Sequence, residues 1–196
     1  MDERFTHTTY LIRKKILKLF GGEFHIFDPA GEVVLYSKMK AFKLKEDIRI
    51  YADEEMTEEL LKISARSVLD FSATYDVTDS TTGEHLGSLR RKGLRSIIKD
   101  EWLLLNPDDR EIGRIAEDSM LMALLRRFIS SLIPQTFHGE IGNQPVALYR
   151  QNFNPFVIKL TADFSPDTGH LLDRRLGLAA GLLLCAIEGK QEGGGD

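Results

Sequence analysis

Cysteine is almost absent from the 196-residue sequence. Cys185 is its only cysteine, so no disulfide can form within the chain. The residue lies inside an apolar stretch, where a thiol is shielded from water and is a poor nucleophile. We therefore expect Cys185 to act as a small buried hydrophobic side chain rather than as a catalytic group.

An excess of positive charge is also lacking. Lys and Arg number 26 against 30 Asp and Glu, which gives a formal net charge of -4. Nucleic-acid binding depends on excess basic charge, so we expect no nucleic acid as a partner. Residues 1–9 contain no apolar stretch typical of a secretory signal. This predicts a cytoplasmic protein, either free or peripheral to a membrane.

Catalytic and metal-binding motifs are missing as well. The sequence has no Gly-X-Ser-X-Gly elbow, Walker loop or dinucleotide fingerprint. Its five histidines are scattered without the spacing of metal ligands. An acidic segment begins at Asp163, but Thr168 and Arg174 occupy positions where a calcium loop requires Gly and Glu. That segment indicates a capped turn before a helix. We expect no metal, no cofactor and no enzymatic activity.

The longest apolar run covers residues 176–187 and has ionic residues on both sides. A helix over this run would be about 18 Å long. Spanning a bilayer requires about 20 apolar residues, so a membrane-spanning helix is the weaker alternative. A helix that is apolar on every side must be enclosed. The run therefore predicts a helix surrounded by the rest of the chain.

Short β-rich segments alternate with turn-forming residues along most of the sequence. The flanking segments are rich in β-branched and aromatic residues, which is typical of antiparallel hairpins. Two further segments, residues 10–20 and 55–69, are consistent with either strands or amphipathic helices. The predicted hairpin tips are residues 28–32, 79–84, 106–111 and 142–145. Together with other extended segments, the total approaches twelve strands.

A sheet of about twelve strands exposes its edges unless it closes. When a sheet of this size closes into a barrel, the lumen of the barrel is too wide for the strands' own side chains to fill. The apolar helix fits that space. The sequence therefore predicts a mainly β (α+β) fold, a closed barrel of about twelve antiparallel strands around a central C-terminal helix. Residues 119–132 predict one outer amphipathic helix. We expect one domain over residues 1–190 and a disordered tail over residues 191–196.

Three segments carry a resemblance to a known family. Residues 75–92, 101–115 and 172–188 resemble the LURP-one-related proteins, which belong with tubby C-terminal domains and phospholipid scramblases. The resemblance covers roughly residues 10–190 and implies a twelve-stranded barrel around a hydrophobic C-terminal helix. Tubby domains bind phosphoinositides through a basic patch, and scramblases are linked to calcium and lipid movement. The Pro-rich, cysteine-clustered N-terminal region of scramblases is missing here.

Clustered basic residues are the candidate binding site. The first cluster, Arg90, Arg91, Lys92, Arg95 and Lys99, falls within ten residues at the end of a predicted hairpin arm. Such a cluster suits a phosphorylated headgroup, because Arg and Lys form charge-assisted hydrogen bonds with phosphate. The alternative interpretation is a solvated charged face.

A second cluster comprises Arg13, Lys14, Lys15 and Lys18, and it joins the first only if the fold brings the two together. The sequence thus predicts a non-enzymatic, tubby-like domain that binds anionic phospholipid headgroups on its outer surface. The alternative function is a protein-protein interaction or scaffold module without a lipid ligand.

Overall fold

A computed structural model of the chain describes residues 2–17, 21–39, 47–66, 73–92, 101–117, 135–152 and 157–187. Within these ranges the chain forms a short 3-10 helix, Glu3–Phe5, followed by twelve strands and one α-helix, α1 (Arg174–Ile187). The strands are β1 (Thr9–Leu17), β2 (Gly21–Phe27), β3 (Val33–Met39), β4 (Ile48–Tyr51), β5 (Glu59–Ala65), β6 (Thr74–Asp79), β7 (His85–Arg91), β8 (Glu101–Leu105), β9 (Glu111–Glu117), β10 (Thr136–Ile141), β11 (Gln144–Asn152) and β12 (Val157–Asp163).

The twelve strands form one closed antiparallel barrel. Each strand pairs with its neighbours in sequence, and β1 also pairs with β12 to close the sheet. The predicted fold class is therefore confirmed. All four predicted hairpin tips lie between paired strands. Of the two ambiguous segments, the described residues 10–17 belong to β1 and residues 59–65 form β5. The predicted outer helix over residues 119–132 and the tail over residues 191–196 lie outside the described residues.

Helix α1 fills the lumen of the barrel. Residues 176–186 are all buried, and they share one hydrophobic core with inward-facing side chains of the strands. Alternation along each strand supplies this core, because every second side chain points inward. Ile12, Ile26 and Leu160 are examples, each completely buried. No helix within the described ranges is long and apolar enough to cross a membrane.

Polar contacts fix the first turn of α1 against the barrel wall. The carboxylate of Asp173 accepts a hydrogen bond of 2.8 Å from the backbone N–H of Arg175, which is typical of a helix N-cap. The Arg175 guanidinium also contacts the carboxylates of Asp79, at 2.5 Å, and Asp173, at 2.7 Å. Since Asp79 ends β6, this link ties the start of the helix to the β6–β7 hairpin.

The segment between β12 and α1 is the capped turn that the sequence predicts. The buried carboxylate of Asp167 accepts hydrogen bonds from the backbone N–H groups of Leu171, at 2.8 Å, and Leu172, at 3.1 Å. These donors precede the helix and would otherwise lack partners. Within the described ranges, no group of His, Cys, Asp and Glu side chains has the arrangement of a metal site.

A candidate anion-binding face

The first basic cluster does not form a single patch within the described residues. Arg90 lies on the outer face of β7, where its Nε donates a hydrogen bond of 3.2 Å to the Thr74 hydroxyl. Arg91 is paired in register with the inward-facing Trp102, so strand alternation places it on the inner face. The ammonium group of Lys92 contacts the Glu101 carboxylate at 2.9 Å. Arg95 and Lys99 lie outside the described residues.

The second basic cluster is divided between the two faces of β1. Lys14 is 6 % exposed and points into the barrel, whereas Lys15 is exposed on the outer wall. Arg13 also faces outward, and its guanidinium lies 4.7 Å from the centre of the Phe27 ring. Lys18 lies outside the described residues. Lys14 is therefore unavailable to a ligand on the outer surface, because its ammonium group is enclosed with the helix.

The two clusters lie on opposite sides of the barrel. Five strands separate β1 from β7 in either direction around the closed sheet. Outer side chains of these two strands therefore point away from each other. The described members of the two clusters do not converge on one concavity.

Two cations distant in sequence join the outer side chains of β1. In the β1–β12 register, Arg13 lies directly opposite Lys159. On β11, Arg150 is paired with Thr161, which lies two residues beyond Lys159 on β12. Neighbouring strands are about 4.8 Å apart, and successive outward residues are about 7 Å apart along a strand. We call these four residues on three adjacent strands, Arg13, Lys15, Arg150 and Lys159, the cationic face.

The members of the cationic face form no ion pairs within the described part of the chain. No carboxylate of that part forms an ion pair with any of its four members. Lys15 is in register with Glu23, but the Glu23 carboxylate pairs with Lys38 at 3.4 Å. Four other outward cations do contact carboxylates: Arg49 contacts Glu59, Lys62 contacts Asp47, Arg66 contacts Asp76 and Asp109, and Arg114 contacts Glu140. The cationic face is therefore an electropositive area of the wall.

Histidine and tyrosine side chains border the cationic face on β2 and β3. His25 is in register with Arg13 and with Tyr36, and its Nε2 lies 3.0 Å from the Glu54 carboxylate. Burial raises the pKa of the Tyr36 hydroxyl, and the negative charges of Glu23 and Glu54 raise it further. The negative charge beside Tyr36 limits the electropositive area to the side of β1, β11 and β12.

Arg150 and Lys159 were not predicted as site residues. Each is an isolated cation in its segment, more than 130 positions from Arg13 along the chain. The only sequence signal that Lys159 faces outward is the alternation of polar and apolar residues in β12. Lys159 and Thr161 occupy its polar positions, between the buried Ile158, Leu160 and Ala162. Their closeness to Arg13 follows from strand register, which the sequence does not specify.

Comparison with known proteins gives one family. A family model described as LURP-one-related matches residues 33–156, more than half of the chain. The match runs from the start of β3 to the residue before β12. It includes Arg150, whereas β1, β12 and α1 lie outside it. The chain has no significant match among curated proteins.

Proposed function

Because the chain belongs to the LURP-one-related family, we propose that it is a non-enzymatic, tubby-like module whose cationic face binds the headgroups of anionic phospholipids. The supporting observation is the like-charge pair formed by Arg13 and Lys159. Like charges directly opposite each other destabilise a sheet. A shared anionic ligand would convert that repulsion into attraction, because each phosphate oxygen can accept hydrogen bonds from both side chains.

The side chains around this pair suit a phosphate group. Arg13 offers a planar fork of donors, and Lys159 and Lys15 offer compact positive charges. Asn152 is in register with Lys159 and adds amide donors, while Thr161 lies between Arg150 and Leu11 in the next outward row. A phosphodiester placed over β12 would therefore be surrounded by donors from three strands.

The shape of the site favours a membrane over a small soluble anion. The four cations lie on the outer wall of the barrel, and three of them, Lys15, Arg150 and Lys159, are exposed. An open wall encloses a small ligand poorly, but it can meet several headgroups of a bilayer at once. Each Lys or Arg near an anionic membrane surface contributes about 1 kcal/mol, and the attraction weakens with salt.

Sedimentation with vesicles tests the proposal. The wild-type chain should bind vesicles of phosphatidylcholine and phosphatidylserine in a salt-sensitive way, and pure phosphatidylcholine vesicles much less. The double variant R13E/K159E should bind at least roughly 30-fold more weakly, since two contributions of about 1 kcal/mol are lost. The matched control is R90E/K92E, which changes the net charge equally on the opposite wall of the barrel.

Three outcomes would overturn the proposal. Equal recovery of the wild-type chain with neutral and anionic vesicles at low salt would exclude headgroup binding. An equal loss in R13E/K159E and R90E/K92E would show that binding follows net charge rather than the cationic face, and a larger loss in R90E/K92E would restore the first basic cluster as a candidate. Capture of a stoichiometric protein partner without any lipid binding would instead support the scaffold function.

A further inference from the structure

We infer that Leu11, Phe27 and Val33 form a membrane-contact strip that enters the interfacial region of the bilayer when the cationic face binds headgroups. This inference rests on the proposed membrane binding and adds the orientation in which the barrel docks. It concerns the wall formed by β1, β2 and β3.

The three side chains form one continuous row across adjacent strands. Leu11 on β1 is in register with Phe27 on β2, and Phe27 is in register with Val33 at the start of β3. Strand alternation turns Leu11 and Phe27 outward, because the neighbouring Tyr10, Ile12 and Ile26 are buried in the core. The β2–β3 register shifts beside Phe27, and Val33, opposite it at the start of β3, is exposed. Val33 is 41 % exposed, and Leu11 and Phe27 are half-buried. The outer wall thus carries an apolar row open to solvent.

This row borders the cationic face directly. Leu11 and Arg13 are successive outward residues of β1, about 7 Å apart along the strand. The Arg13 guanidinium lies 4.7 Å from the centre of the Phe27 ring, so the apolar row is in contact with the cationic face. On the other side of Leu11, the polar Thr161 lies in register between the strip and Arg150. An apolar row with Arg and Lys beside it is typical of surfaces that lie in the membrane interface, where basic side chains meet headgroups and apolar ones lie deeper.

The size of the row favours a bilayer over a second protein. A stable protein interface buries about 800 Å² on each partner. Three partly buried side chains supply far less apolar area than such an interface requires. Binding to a bilayer has no such threshold, since each inserted apolar group adds to the attraction between cations and anionic lipids. The charge of the neighbouring cations also selects an anionic surface.

Insertion of the strip into a bilayer can be measured by tryptophan fluorescence. Trp102 is the only tryptophan and is 2 % exposed inside the barrel, so the wild-type chain provides a nearly constant background. In V33W the new indole should shift to shorter emission wavelengths and be quenched by brominated phosphatidylcholine in vesicles containing phosphatidylserine. The matched control is T82W at the exposed tip of the β6–β7 hairpin, across the barrel from β1. Its indole should stay unquenched although the chain binds.

A second variant removes the apolar contact instead of reporting on it. V33S should bind the same anionic vesicles about three- to tenfold more weakly, because part of one valine side chain is no longer buried. If both tryptophan variants bind but V33W is quenched no more than T82W, the inference is overturned and headgroup binding remains. If V33S binds as tightly as the wild-type chain, the strip is likewise excluded. Absence of vesicle binding in every variant, including wild type, would overturn the proposed function itself.

Discussion

The side-chain ammonium of Lys14 lies 3.2 Å from the carbonyl oxygen of Cys185, inside the barrel. It also lies 3.5 Å from the carbonyl oxygen of Ala186. The last carbonyl groups of a helix have no partners within the helix and carry partial negative charge. Lys14 therefore holds the C-terminal end of α1, as Arg175 holds its first turn. The adjacent Lys15 faces solvent, so two neighbouring lysines have different roles.

The first prediction separates these two lysines. K14M should lower the free energy of unfolding by about 1–3 kcal/mol, because buried carbonyl groups lose their donor. K15M removes the same charge from the outer wall and should change stability by less than about 0.5 kcal/mol. Urea denaturation followed by circular dichroism measures both values. In vesicle sedimentation the larger effect should come from K15M, which should bind anionic vesicles more weakly than K14M. Equal stability of the two variants would contradict the role assigned to Lys14.

The fold was largely predictable because its signals are local. Turn residues such as Asp28 and Gly31 mark a hairpin tip, and the apolar run of residues 176–187 has no polar face. The site was less predictable, because it depends on register between strands that are distant in sequence. The run of basic residues from Arg13 to Lys15 is contiguous in sequence, yet alternation sends its middle member into the core. Lys159, far from this run, lies directly opposite Arg13.

The second prediction concerns acid stability and the Asp79–Arg175 link. Burial by itself raises the pKa of Asp79, but hydrogen bonds from Thr81 and Arg175 outweigh it and hold the pKa below the usual 3.8. A carboxylate with a lowered pKa in the folded state stabilises the fold fully above its unfolded pKa. That stability is lost as the pH falls below about 4 and through the folded pKa.

Asp79→Asn should therefore lower stability at pH 7 by about 1.5–3 kcal/mol, the contribution of hydrogen bonds to a charged group. Its stability should also fall less steeply than that of the wild-type chain between pH 5 and about pH 3. Denaturation curves across this range measure both effects. The control is Asp108→Asn at the exposed β8–β9 tip, which removes one carboxylate without breaking an ion pair of the described residues and should change stability at pH 7 by less than about 0.5 kcal/mol. Parallel curves for wild type and Asp79→Asn would contradict the prediction.

The third prediction distinguishes the two glycines of the apolar run. Side chains of the barrel wall and of the turn before the helix approach Gly177 and Gly181 closely. A Cβ at Gly177 would lie 2.5 Å from the Phe164 ring, which is 1 % exposed and lies under the Arg174 guanidinium. At Gly181, the nearest atom would be the flexible end of Ile12, at 2.8 Å.

Gly177→Ala should accordingly destabilise the fold by about 1–3 kcal/mol, because the enclosed ring has little room to move. Gly181→Ala should change stability by less than about 1 kcal/mol, since the better helix propensity of alanine offsets a small shift of Ile12. Thermal denaturation of the two variants in parallel gives the comparison. Equal melting temperatures would show that the Phe164 contact does not restrict this position.

The fourth prediction concerns the thiol of Cys185, which lies in the last turn of α1. Burial raises its pKa to about 12, although the positive charge of Lys14 acts in the opposite direction. The thiol is fully buried, so a reagent reaches it only when the barrel opens. With a typical net stability of at least about 5 kcal/mol, labelling by a thiol-specific disulfide at pH 8 should be slowed at least about a thousandfold relative to the denatured chain. K14M should speed the labelling, because it weakens the same end of the helix. Complete reaction of the native protein at the rate of a free thiol would mean that the helix is not enclosed as described.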